Sequence, residues 1–300
     1  MLTQLDLCFP DTLRVPSSVR FSSLKLLTLE YVKFVDDVST ERMLSGAALE
    51  RLFLNKCDWA DLQVLNVSAP KLRSLRVTEA RCDGDRSGNG NCKIVIHGPG
   101  LKYFYCSGGL LYDYTISGSS MPVEAMVEVD YVDYVPYARS DPVDRWHRPL
   151  KGLLNVKFLT LRGLSFRIDS PLHDALPVFR NLITLKLSIG VMCLSSPTLA
   201  AILRRSPRLE NLEFTKGLRV DHRLVDGILD PPPPCFSSSL KRITVGAFFG
   251  TEAEMLALRI LLRTAKVLEE IILSRPGDHL GFDEYLIRDL AELVRQNTTD

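Results

Sequence analysis

Among 300 residues, 37 Lys and Arg stand against 36 Asp and Glu, and hydrophobic residues make up 46% of the chain. That balance fits a packed domain rather than a disordered chain. A net charge of +1 removes the bulk pull that nucleic acid or an acidic membrane surface exerts on a basic protein. No run of about eighteen apolar residues is present to span a bilayer, and Asp6 among the first leucines, without a basic stretch, argues against a signal peptide.

Taken in chain order, one spaced apolar word recurs. It starts at Leu2 (with Leu5, Leu7), Leu24 (Leu27, Leu29), Leu49 (Leu52, Leu54), Leu62 (Leu65, Val67) and Leu72 (Leu75, Val77). With Cys57 added, the third copy spells L-x-x-L-x-L-x-x-C, the strand segment of a leucine-rich repeat. Leu62 comes only 10 residues before Leu72, too few for a full coil. Residues 62–67 are therefore predicted as a strand on the opposite, convex side, with Pro70 turning the chain back. Gly84 to Asn91 superficially suggests a phosphate loop, but it lacks the Lys-Ser/Thr ending and precedes the strand-like Lys93 to His97. A mobile, hairpin-like insertion is expected there.

The pattern weakens over 101–150. Leu101, Phe104 and Cys106 form a degenerate copy, and Val123, Met126 and Val129 another, within an irregular repeat whose loop spans about 107–150. An acidic and aromatic stretch follows, and its Tyr131, Tyr134, Tyr137 and Trp146 are candidates for a projecting binding loop, because aromatic residues dominate interface hot spots. The word then resumes at Val156 (Leu159, Leu161), Leu182 (Leu185, Leu187), Leu209 (Leu212, Phe214), Leu240 (Ile243, Val245) and Leu268 (Ile271, Leu273). Most successive starts lie 22 to 31 residues apart.

Return segments carry helix signals. Residues 196–207 offer Ser196 as a cap, Pro197 at the first helical position, an apolar stripe of Leu199, Ile202 and Leu203, and Pro207 as a stop. Thr251 and Glu254 form a capping box ahead of Met255, Leu258, Leu261, Leu262 and Ala265. A third helix is predicted over 283–296, with Leu286, Leu290, Leu293 and Val294 inward, closing the C-terminal end of the stack. Pro231 to Pro234 read as a stiff extended spacer.

The fold class is therefore α/β, a leucine-rich-repeat solenoid with a curved parallel sheet on its concave side and helices and turns on its convex side. Alternation along each strand turns Leu52 and Leu54 inward and Phe53 outward. The outward row reads Asp6, Thr28, Phe53, Arg76, Thr160, Lys186, Glu213, Thr244 and Ile272. From the concave face Phe53, Arg76, Arg162, Lys186 and Glu213 are the candidate protein-binding residues, with Arg51 and Arg73 flanking them. The cysteines lack Cys-x-x-Cys spacing and the histidines are scattered in predicted loops, so no metal site, cofactor or catalytic set is expected. Mostly buried, reduced cysteines suit the cytoplasm or nucleus.

The run from Ser237 to Leu273, SSSLKRITVGAFFGTEAEMLALRILLRTAKVLEEIIL, closely resembles the FBD motif at the C-terminus of many plant F-box proteins. VSAPKLRSLRV (67–77) and ILRRSPRLENLEF (202–214) are similar to the leucine-rich region of the same F-box/LRR proteins. The resemblance divides the chain into a repeat region, 1–230, and FBD-like repeats with a capping helix, 231–300. It implies a substrate receptor of a cullin-type ubiquitin ligase, in which an N-terminal F-box docks on the adaptor and the repeats hold the protein to be ubiquitinated. In this chain a repeat strand follows Met1 at once, where the family carries its F-box. The adaptor is accordingly a partner only if an F-box lies upstream; otherwise the chain is a free-standing interaction or decoy protein, or a truncated gene product without ligase function.

Overall fold

The computed structural model describes residues 2–16, 18–19, 21–59, 61–79, 92–110, 112–117, 122–129, 148–163, 176–189, 192–220, 227–275 and 284–297. The chain forms two compact units, 1–157 and 158–300.

The first unit contains β1 (Gln4–Cys8), β2 (Thr12–Leu13), β3 (Leu26–Glu30), β4 (Lys33–Phe34), α1 (Asp37–Leu44), β5 (Arg51–Cys57), β6 (Val64–Ser68), β7 (Ser74–Glu79), β8 (Lys93–His97), β9 (Tyr103–Gly108), β10 (Asp113–Ser117) and β11 (Glu124–Val129). β1, β3, β5, β7, β9 and β11 pair in that order, all parallel. The register aligns the leucine words. Leu27, Leu52, Leu75 and Phe104 form one buried row, and Leu29, Leu54, Val77 and Cys106 the next. Burying stacked rows of this kind is what lets successive coils share a core that none could form alone.

β6, β8 and β10 form a second parallel sheet, so the strand predicted over 62–67 lies where the short spacing required it, on the return side. The hairpin-like insertion expected over 84–91 lies outside the described residues. One expectation is corrected here: within the stretch 107–150 expected as a loop, β10 and β11 continue both sheets. In β11 the inward residues are Ala125 and Val127, paired with Phe104 and Cys106, while Met126 faces out beside Tyr105. The word there is Pro122–Ala125–Val127, one residue before the expected register. Pairing to β9 imposed it, because a slip of one residue would exchange the two faces.

At the end of β5, simple alternation from Leu52 and Leu54 would turn Lys56 inward and Cys57 outward. Lys56 instead takes a left-handed backbone (φ 50°) at a register shift and stays exposed, and Cys57 is buried. Its thiol donates to the Leu29 carbonyl (3.4 Å), and burial pushes its pKa up to about 12. α1 was not foreseen from the sequence; Asp36 caps it by accepting the Ser39 amide (2.7 Å), and Asn66 of β6 donates to its Glu41 (2.8 Å). Gly108 allows β9 to lie against Glu79, where a Cβ would come within 2.9 Å of the Glu79 carbonyl oxygen. Glu79 is buried and accepts the Tyr114 hydroxyl at 2.8 Å, and burial holds the Tyr114 pKa well above its usual value.

The second unit contains β12 (Phe158–Gly163), β13 (Thr184–Ile189), β14 (Met192–Cys193), α2 (Pro197–Arg204), β15 (Asn211–Phe214), β16 (Leu218–Arg219), α3 (Pro234–Ser238), β17 (Arg242–Val245), α4 (Glu252–Thr264), β18 (Glu270–Leu273) and α5 (Glu284–Asn297). β12, β13, β15, β17 and β18 pair in parallel in that order. The returns that follow β13, β15 and β17 carry helices α2, α3 and α4. Ser196 caps α2, whose Leu199, Ile202 and Leu203 are buried. Thr251 and Glu254 complete the capping box of α4. The proline run is not an extended spacer throughout, because α3 starts at Pro234 and buries Cys235 and Phe236. α5 matches the predicted third helix, but only Leu286 and Leu293 are buried and Leu290 half-buried; Val294 is exposed. Gly250, with φ 80°, leaves room for Leu286, whose methyl carbons a Cβ would meet at 2.5 Å. Among the described residues no helix is long and apolar enough to cross a membrane.

Candidate protein-binding surface

Because the leucines of each ladder strand point into the core, the residues between them form the open face of the sheet. In the first unit the central row runs Asp6, Thr28, Phe53, Arg76, Tyr105 and Met126. A parallel row runs Gln4, Leu26, Arg51, Ser74, Tyr103 and Glu124. The guanidinium of Arg76 stacks 4.5 Å from the ring centre of Tyr105, and the Tyr105 hydroxyl donates to Glu128 on β11 at 2.9 Å. Partial burial is the largest cause holding the Tyr105 pKa above its ordinary value, and Glu128 adds to it. Tyr103 is 52% exposed. At the β1 end, Asp6 accepts hydrogen bonds from Thr28 and Gln4, which lower its pKa.

The open face of the second unit has a different electrostatic character. Lys186 and Glu213, adjacent in register, form an ion pair at 2.6 Å. Arg242 and Glu270 pair at 2.5 Å, and Lys241 lies 3.8 Å from Glu269. Cross-strand partners thus consume much of the charge on this face.

The structure brings together the candidates Phe53 and Arg76, which are neighbours on β5 and β7 with Arg51 beside Phe53. It brings Lys186 and Glu213 together as each other's partner. Arg162 is exposed at the end of β12, opposite Ser188 in register. Tyr131, Tyr134, Tyr137 and Trp146 lie outside the described residues. Tyr103 and Tyr105 were missed as surface candidates. Alternation around Phe104 and Cys106 would have found them, since both sit at outward positions of that degenerate word.

Other chemistry-bearing groups have structural partners. His97 lies at the end of β8 rather than in a loop, its Nδ1 2.6 Å from the Ser117 hydroxyl on neighbouring β10. That hydroxyl also reaches the Ile96 carbonyl at 3.4 Å, so the contact ties two strand ends together. The other histidines lie outside the described residues. Among the described residues no three His, Cys, Asp or Glu side chains are arranged to hold a metal ion.

Comparison with known proteins agrees with the motifs. Residues 230–273 match the FBD family model, which takes in the stretch 237–273. An FBD-associated F-box protein of Arabidopsis thaliana is 28% identical over 285 residues, covering 91% of this chain and 65% of its own length. An F-box/FBD/LRR-repeat protein of the same plant is 26% identical, covering 96% of this chain and 65% of its own length. A third relative, F-box/LRR-repeat protein 13, is 25% identical, covering 99% of this chain and 66% of its own length. The chain thus spans about two thirds of the length of these relatives. No solved structure matches it. It is an α/β leucine-rich-repeat chain with a C-terminal FBD segment, similar to plant F-box/FBD/LRR-repeat proteins along most of its length.

Proposed function

We propose that this chain is the target-binding part of an F-box subunit of a cullin-type ubiquitin ligase, working in the cytoplasm or nucleus. The observation that carries the reading is the likeness to F-box/LRR-repeat proteins along 91% to 99% of the chain, ending in an FBD match. In this reading the repeat strands hold the protein to be ubiquitinated, and an F-box elsewhere in the native product reaches the adaptor. The chain itself is given no catalytic step and needs no cofactor; it brings a target near the ligase machinery. The open face of the first unit supports a binding role, because Arg and Tyr are residue types that concentrate interface energy.

The test is the 5′ end of the native transcript, mapped by rapid amplification, followed by co-purification of its full-length product with the ligase adaptor. An in-frame F-box and a retained adaptor are the expected results. Translation beginning at Met1, or a full-length product that does not retain the adaptor, would overturn the ligase assignment and leave a free-standing interaction protein.

A further inference from the structure

We infer that the open face of the first unit binds an acidic, extended peptide segment of a partner protein. The inference rests on the protein-binding reading above and adds the chemistry of what is bound. β5, β7 and β9 place Arg51 and Tyr103 in one row, either side of Ser74, and Arg76 and Tyr105 in the next. Arg73 and Lys102 stand at the entries of their strands, where the amides of Lys102 and Tyr103 donate to the Arg73 carbonyl. Adjacent strands lie about 4.8 Å apart, so Arg51, Arg76, Tyr103 and Tyr105 share one small patch, with Arg73 and Lys102 at its strand-entry edge. Arg51, Arg73, Arg76 and Lys102 are all exposed. Among the described residues none of the four is within ion-pair distance of a carboxylate.

The neighbouring carboxylates do not cancel this charge. Glu50 is held by Lys25 at 3.6 Å. Glu124 and Glu128 on β11 border the patch beside Tyr103 and Tyr105, and together they leave the four cations in excess. Arginine presents a planar fork of donors that matches a carboxylate in two parallel hydrogen bonds, and exposed Tyr103 and half-buried Phe53, on either side of β7, offer apolar contact for side chains between the acids. Single-stranded nucleic acid would need free aromatic faces for base stacking. Arg76 lies over the ring of Tyr105, leaving Tyr103 as the exposed one of the two rings, fewer stacking faces than successive bases would use, which favours the peptide.

Fluorescence anisotropy with the full chain tests this. Three labelled probes serve: a peptide of alternating glutamate and tyrosine, the same peptide with lysine for glutamate, and single-stranded oligouridine. The acidic peptide is expected to bind about tenfold or more tightly than the lysine peptide, and to weaken as salt rises. Arg51→Glu combined with Arg76→Glu should reduce its binding about tenfold or more with the thermal unfolding profile unchanged, while Lys216→Glu at an exposed position of the second unit leaves binding as it was. Equal binding of the two peptides, no loss in the double variant, or tighter binding of oligouridine than of the acidic peptide would overturn the inference. A double variant that no longer folds is replaced by Arg51→Gln with Arg76→Gln, for which the same loss is expected and its absence counts against the proposal. A target still held by the charge-reversed receptor sinks this inference and leaves the ligase reading intact; an absent F-box sinks the ligase reading and leaves the peptide preference intact.

Discussion

The two units build the same ladder of parallel strands in different ways. In the first, much of the return path is itself a sheet, β6, β8 and β10; in the second, α2, α3 and α4 occupy the corresponding segments. Leu49 to Leu72, which returns through β6, is a shorter step than Leu182 to Leu209 or Leu209 to Leu240, where a helix intervenes, since a strand covers distance with fewer residues than a helix. Leu72 to Leu101, which returns through β8, is as long as the helical steps. The open faces differ as well. Cross-strand neighbours on the second unit pair Lys186 with Glu213 and Arg242 with Glu270, whereas Arg51 and Arg76 on the first have uncharged neighbours in register, Ser74 and Tyr105. The same fold logic therefore yields one face whose charges stabilise each other and one whose charges remain available to a partner.

The largest effect should come from what the units share. Leu52→Asp and Leu187→Asp each put an unpaired charge into a buried row, costing roughly 5 kcal/mol or more. Chemical denaturation should find either variant unfolded or aggregated; a stable Leu52→Asp protein would contradict the register and dissolve the comparison.

Alkaline titration probes both cores next. Burial raises Cys57 in the first unit and Cys235 in the second to about 12, from an ordinary 9.0. A folded-state pKa raised above the unfolded value means the folded protein holds these protons more tightly. Their contribution is fully present below pH 9.0 and lost as pH rises towards about 12, at about 1.4 kcal/mol per pH unit for each thiol. Cys57→Ala should flatten that slope in stability measured against pH, relative to its own value at neutral pH. An unchanged slope would mean that Cys57 is not the buried thiol described.

Smaller effects distinguish the units. Thr251→Ala removes the cap of α4 and should cost the helical second unit about 1 kcal/mol, read as a lowered denaturation midpoint; no shift would show that tertiary packing alone holds that helix end. Lys186→Ala and Arg76→Ala should each change stability by less than about 1 kcal/mol, because both positions are solvent-accessible. The pair separates in binding instead: Arg76→Ala weakens the acidic peptide and Lys186→Ala does not. If Lys186→Ala weakened it as much, the contrast between paired and available charge would fail.

Much of the fold was legible because the leucine word carries both strand position and facing. Its copies at Leu24, Leu49, Leu72, Leu182, Leu209 and Leu240 all precede ladder strands whose two word residues are buried. Caps at Ser196 and Thr251 were equally plain, since short side chains and a glutamate three residues on have a local job. Legibility failed where apolar residues occupied both parities. Around Val123 and Met126 the more hydrophobic side chains lie on the outer face, and the small Ala125 fits inside against β9. It also failed for α1, whose cap Asp36 heads a short, polar helix without a long apolar stripe. For the candidate surface, Phe53, Arg76, Lys186 and Glu213 were placed on the open face by alternation alone. That Lys186 and Glu213 neutralise one another required the β13–β15 register.

Along the ladder strands with a clear leucine word, the sequence by itself determined which residues point inward, because a strand's two-residue period is a local property of the backbone. It also determined where the second unit's helices begin, through hydrogen bonds made within a few residues. Only the tertiary structure decided that β8 and β10 join β6 in a second sheet, how Lys56 turns Cys57 back into the core, and which surface charges meet. Those outcomes depend on residues more than twenty positions apart being brought side by side, as Cys57 is with Leu29 and Glu213 with Lys186. Such contacts are set by the register between coils, and no single strand encodes it.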